Sequence, residues 1–197
     1  MEKKREDGIK TFYAASQVAW REWLALNHEL ESSVWLIIFR KDSPRPSITY
    51  KEAVEEALCF GWIDSKPNKR DAESYYQYFS KRKPKSNWSA VNKNMVAKLL
   101  SEERMAPAGL AMIQLAKETG TWTALDDVEN LVIPPDMEAL FPQFPNARAN
   151  WEAFPRSVKR GILEWIYNAK RSATREKRIR ETVEKAEQNI RANQYRQ

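Results

Sequence analysis

Glycine, cysteine and histidine are scarce in this chain: five, one and one among 197 residues. The glycines fall at 8, 61, 109, 120 and 161, never in the close pairing that lets backbone amides cradle a phosphate, so a glycine-rich nucleotide loop is excluded. The single thiol, Cys59, cannot form an internal disulfide or build a multi-cysteine zinc or iron–sulfur site. With His28 as the only imidazole, a metal would have to rest on carboxylates, so no metal site and no cofactor are expected. The best apolar run, residues 34–39, has six members, against about 18 for a membrane span, and no membrane insertion is expected. The opening MEKKREDGIKTFY carries charges of both signs with no apolar stretch behind it, unlike a secretion signal. With the lone thiol, this predicts a soluble, cytoplasmic protein.

A hydrophobic fraction of 42% beside 30% charged residues suits a globular fold. Eight tryptophans supply core anchors, with a few left for a cleft or interface. The net charge of +6 is unevenly spread. Residues 66–98 hold nine Lys or Arg (66, 69, 70, 81, 82, 83, 85, 93, 98) against two acids (71, 73), a local surplus larger than that of the whole chain. A small anionic ligand or an acidic protein surface is therefore the partner to consider.

Apolar spacing predicts the elements. Ser16 caps a helix carrying Trp20, Trp23 and Leu24. Residues 34–39 read as a strand apolar on both faces, closed by the turn Arg40-Lys41-Asp42-Ser43-Pro44. Thr49 and Glu52 fit a capping box for a helix that stops near Gly61. Trp62-Ile63 reads as a short strand and residues 75–80 as another. Ser89 caps a helix with Val91, Met95, Leu99 and Leu100, and a further helix runs from about Pro107, through Leu110, Ile113 and Leu115, to Gly120. Residues 126–135, with two prolines and three acids, read as a linker. Beyond it lie short helices at 135–140 and 147–154, a helix capped by Ser157 with Val158, Ile162, Trp165 and Ile166, and a last one striped by Ile179, Val183, Ala186 and Ile190. The fold class is α+β: a small β-sheet packed with helices over residues 1–125, followed by an all-helical module over 134–194.

Candidate chemistry gathers at residues 62–89. Asp64 follows the turn at Gly61, and two readings stay open: a carboxylate at a pocket rim, hence a weak catalytic candidate, or an Asx turn into residues 65–68, which is preferred. Lys81, Arg82, Lys83 and Lys85, with the hydroxyls of Ser86 and Ser89 and the amides of the helix that Ser89 opens, can form an anion site or a solvated basic loop. The expected ligand-binding set is Trp62, Asp64, Arg82, Lys85, Ser86, Trp88 and Ser89. Cys59, between Leu58 and Phe60, reads as a buried structural thiol. Tyr75, Tyr76 and Tyr78 among cations invite single-stranded nucleic acid, but neighbours in a strand point oppositely, so that partner is the weaker candidate.

Several stretches together resemble the YdeI/OmpD-associated family: WxxWL at 20–24, VWLIIFRK at 34–41, TYKEAVEEALCFGWIDS at 49–65, YYQYFSKRKPKSNWSAVNK at 75–93 and AGLAMIQLAKETGTW at 108–122. PPDMEALF at 134–141, Ser157 and GILEWIYNAKRSATREKRIRETVEKA at 161–186 resemble that family's OmdA-type module. Ser33 and Ser65 stand where glycine is frequent. The resemblance implies a bacterial protein linked to bacteriocin protection and to outer-membrane protein association, and carries over no catalytic residue. The preferred expectation is a non-enzymatic binding or stress-protection protein. The alternatives are an enzyme acting on a small phosphorylated or carboxylated substrate through Asp64, and single-stranded nucleic acid binding.

Overall fold

The computed structural model describes residues 8–193, and these divide into two compact units, up to Thr123 and from Ala124 onward. The first is built on a four-stranded sheet of β1 (Thr11–Tyr13), β2 (Ser33–Phe39), β3 (Trp62–Lys69) and β4 (Ser74–Lys81), in the order β1-β2-β4-β3. β1 runs parallel to β2, and the other pairings are antiparallel. β1 is an element that the sequence reading lacks: three residues carry too little periodicity to announce a strand.

Helices α1 (Gln17–Asn27) and α2 (Tyr50–Cys59) start where side-chain caps satisfy free amides. The Ser16 hydroxyl accepts from the Ala19 amide. Thr49 Oγ1 accepts from the Glu52 amide at 3.3 Å, while Glu52 Oε2 accepts from the Thr49 amide at 2.8 Å. Gly61, at φ +72°, reverses the chain after α2. α3 (Ala90–Ser101) and α4 (Pro107–Glu118) complete the unit. α3 buries Val96 and Leu99, whereas Val91 and Leu100, expected on its inner face, are exposed, as is Leu110 of α4. Branched apolar residues on a helix do not by themselves say which stripe is inside.

The core lies between one sheet face (Phe12, Val34, Leu36, Ile38, Phe79) and the helices, with Trp20, Trp23, Trp62 and Trp88 buried in it. The opposite face carries an aromatic cluster of its own. Trp35, 3% exposed, lies edge-on to Tyr78 at 4.9 Å and to Tyr76 at 6.1 Å, and Phe39 lies edge-on to Tyr13 at 5.3 Å. The expectation that both faces of β2 are covered is thus met on one side only: helices pack on the first face, while on the second Trp35 and Phe39 are shielded by neighbouring tyrosines and Ile37 stays half-buried.

The second unit is helical: α5 (Asp126–Glu129), α6 (Pro135–Glu138), a 3-10 turn (Phe141–Gln143), α7 (Ala147–Ala153), α8 (Arg156–Tyr167) and α9 (Ser172–Glu187). Met137, Phe141, Trp151, Ile162, Ile166, Val183 and Ala186 fill its own core. The tract read as a linker is corrected here, because Leu125 and Val128 enter this core and α5 forms within it. Ser157 is also corrected: it lies inside α8, whose cap position is Pro155, and Ile190 falls beyond α9 and is exposed. No helix among the described residues is long and apolar enough to cross a membrane.

Candidate anion site

β3 is far longer than the two residues expected, and this moves Asp64. Asp64 pairs with Phe79, then an extra residue bulges before Pro67 pairs with Gln77, whose side-chain Nε2 donates to the Ser65 carbonyl at 3.0 Å. Pro67 is tolerated because β3 is an edge strand. The preferred Asx turn at residues 64–68 is therefore overturned. The chain reverses later, where Asp71 Oδ1 accepts from the amides of Glu73 at 3.0 Å and Ser74 at 2.7 Å.

Freed from a turn, the Asp64 carboxylate accepts a hydrogen bond from the Tyr50 hydroxyl at 2.6 Å. Burial, the bond to Asp64 and the Asp64 charge push the Tyr50 phenol well above its usual range, so it stays a protonated donor. Asp64 also acts electrostatically on Arg82.

Arg82 is the unusual residue. Its amide donates to the Gly61 carbonyl at 3.0 Å, it is 4% exposed, and its guanidinium lies 3.7 Å from the centre of the Trp88 ring. Nη2 donates to the Asn87 carbonyl at 2.7 Å, but Nε and Nη1 are buried without a hydrogen-bond partner. Burial pushes Arg82 down to about 10, with Asp64 opposing, so the side chain remains a cation at neutral pH. An unmet buried donor costs about 1–3 kcal/mol, more when charged.

Of the expected set, Asp64, Arg82 and Trp88 come together. Trp62 is a core residue, donating from Nε1 to the His28 carbonyl at 3.3 Å and meeting Trp23 edge-on at 5.9 Å. Ser86 Oγ donates to the Lys83 carbonyl at 2.8 Å and Ser89 Oγ accepts from the Asn92 amide at 3.3 Å, so both hydroxyls serve their own turn and cap. Lys85 is exposed. The surplus of residues 66–98 is dispersed: Lys81 donates to the Glu29 carbonyl, and Lys98 pairs with Glu55 at 3.2 Å. Tyr75 faces the core while Tyr76 and Tyr78 lie against Trp35 on the opposite face. Cys59 is buried, and desolvation, then the charge of Glu56, push its thiol up against the opposing pull of Arg21 and Arg104.

Two further features went unread. A recess of about 450 Å³ is lined by Arg40, Lys41, Arg45, Tyr50, Tyr75 and the apolar side chains of Ile38, Phe39 and Ile48. Its signal was RKDSPR at 40–45, three cations against one acid directly before a capping box. The second is an ionic network around Glu55 and Glu56, buried on α2 at 4% and 2% exposure. Glu56 accepts from Arg21 and Arg104, each at 2.6 Å, and from Gln17 at 2.8 Å. Its signal was two adjacent carboxylates inside the apolar run AVEEAL.

Neither a curated protein nor a solved structure matches this chain. Residues 12–112, just over half of it and wholly within the first unit, match the family model described as Domain of unknown function (DUF8412). Residues 130–189, within the second unit, match OmdA, described as Bacteriocin-protection, YdeI or OmpD-Associated. The chain belongs to the DUF8412 family through its sheet-bearing unit and carries in its helical unit the OmdA module of the YdeI/OmpD-associated family.

Proposed function

We propose that this chain is a non-enzymatic, cytoplasmic binding protein serving bacteriocin protection, and that its first unit accepts an acidic group, on a small anion or on a protein surface, at Arg82. The OmdA match supports the protective role. The observation that carries the site is the buried Arg82 guanidinium with two N–H groups lacking an acceptor. A carboxylate or phosphate oxygen that reached those donors would pair with them, and the adjoining loop of residues 83–87 carries two more exposed cations, Lys83 and Lys85. The guanidinium lies over the Trp88 ring, and Asp64, held by Tyr50, acts on its charge.

The burial of Arg82 makes alanine a poor probe, since a stacked side chain would be lost with the charge. Methionine keeps most of the volume. Methionine removes two unmet donors, each costing about 1–3 kcal/mol, but it also removes the bond to the Asn87 carbonyl and the cation facing Asp64, so the two effects oppose each other. Arg82→Met is therefore expected to remain folded, with a cooperative melt near the wild-type temperature, and to lose binding of acetate, inorganic phosphate or a short poly-glutamate peptide by isothermal calorimetry. In bacteria challenged with a bacteriocin, the wild-type chain should raise survival over an empty vector and Arg82→Met should not. Equal binding and equal protection by the two proteins would refute the assignment.

A further inference from the structure

We infer that the recess between the end of β2 and the start of α2 is a second binding site, for a small organic anion: an apolar body with a phosphate or carboxylate head. It shares Tyr50 with the Tyr50–Asp64 pair but has no residue of the Arg82 loop in its lining, and it does not depend on the function proposed for that loop. Three observations converge. First, its lining contributes the cations Arg40, Lys41 and Arg45 and no carboxylate. All three side chains are exposed, and none makes an ion pair among the described residues. Carboxylates stand only outside the lining: Asp42 in the same turn, Glu73 at 3.5 Å from the Ser43 hydroxyl, and Glu52 and Asp64 engaged by Thr49 and Tyr50.

Second, the hydroxyls around the recess are committed elsewhere. Ser47 Oγ accepts from the Phe39 amide and donates to the Ile48 carbonyl, Thr49 Oγ1 belongs to the capping box, and Tyr50 donates to Asp64. A polyhydroxylated ligand would find few spare partners, so the polar recognition falls to the cations and to the Tyr75 hydroxyl. Third, the floor is apolar: Ile38, Phe39 and Ile48 are buried at 3%, 8% and 1% exposure. Arg45 already lies over the Phe39 ring at 5.3 Å, at the boundary of floor and rim. The size of about 450 Å³ falls within the roughly 300–1,000 Å³ typical of small-molecule sites. A bare inorganic anion would leave that floor facing water, and a neutral aromatic would leave the rim unused.

The test is a calorimetric or ligand-observed NMR titration of the full chain with phenyl phosphate, phenylacetate, inorganic phosphate and benzyl alcohol. At least one aryl anion should bind about tenfold or more tightly than both inorganic phosphate and benzyl alcohol, a difference of about 1.4 kcal/mol. The stronger of the two names the head group. The exposed double variant Lys41→Ala/Arg45→Ala should weaken that binding about tenfold or more at an unchanged melting temperature, and Arg82→Met should leave it intact. No saturable binding of either aryl anion at millimolar concentration, or binding undiminished in the double variant, overturns the site. Loss in Arg82→Met with retention in the double variant would assign the ligand to the Arg82 loop and overturn it equally.

Discussion

Gly109 has room for a hydrogen and nothing larger. A Cβ there would lie 2.2 Å from the Cys59 carbonyl oxygen and 2.7 Å from its carbon, because the first turn of α4 rests on the end of α2, where the Ala106 amide also donates to Cys59 at 3.0 Å. Backbone on both sides cannot yield as a side-chain tip can, so α4 must shift. Gly109→Ala is expected to cost at least the about 1–3 kcal/mol typical of overpacking. Gly161 is the contrast. It sits in the interior of α8 with no atom within 4 Å of a Cβ, so alanine there only gains helix propensity, about 0.5–1 kcal/mol. Urea midpoints of the two variants should move in opposite directions; a neutral Gly109→Ala would mean that the α2–α4 approach is looser than described.

At the scale of elements, α2 holds the first unit together through charge as well as packing. Its Glu55 and Glu56 receive Arg21 from α1, Lys98 from α3 and Arg104 from the segment before α4. Glu56→Ala leaves Arg21 and Arg104 without their shared carboxylate. Breaking a buried pair costs about 3–5 kcal/mol, and the partial exposure of both arginines puts the expected loss at or below the low end of that range. Glu56→Gln, which can still accept hydrogen bonds, should fall between; a chemical melt in which Glu56→Ala matches wild type would show the network to be idle. This ionic tie was the least legible part of the fold. Caps at Ser16, Thr49 and Ser89 were readable because their chemistry is local, within three residues of the amide that they satisfy. The hairpin of β3 and β4 was half readable. Lys66-Pro67-Asn68-Lys69 has turn composition, and only pairing with β4 across a bulge makes it strand. Arg82 was singled out for its charge, and its burial against Trp88 depends on contacts that no local pattern encodes. The recess at Arg40, Lys41 and Arg45 requires β2, the following turn and α2 to meet, so its composition alone looked like an ordinary basic turn.

For the molecule as a whole, the second unit tests whether the chain is two independent folds. Its core draws only on its own residues, from Leu125 to Ala192, and Asp136 and Arg175 join α6 to α9 by a two-point ion pair at 2.7 and 2.9 Å. Chains of about 60 residues bury only about 60% of their unfolded surface and are marginal but foldable. Residues 124–197 expressed alone are therefore expected to give a helical circular-dichroism spectrum and one cooperative thermal transition at neutral pH. The hydrogen bond from Arg175, with burial opposing, holds the Asp136 carboxyl below the usual value of 3.8. A carboxyl depressed in the folded state binds fewer protons there than in the unfolded chain, so its stabilisation is present above about pH 4 and disappears as acid protonates the folded form. Both partners are substantially solvent-exposed, so the contribution is under about 1 kcal/mol. Asp136→Asn should melt slightly below the wild-type fragment at pH 7, and the gap should close as the pH is lowered below about 4. A gap that persists in acid would assign the loss to packing around α6 rather than to the charge, and a fragment without a cooperative transition would make the helical unit dependent on the residues before Ala124.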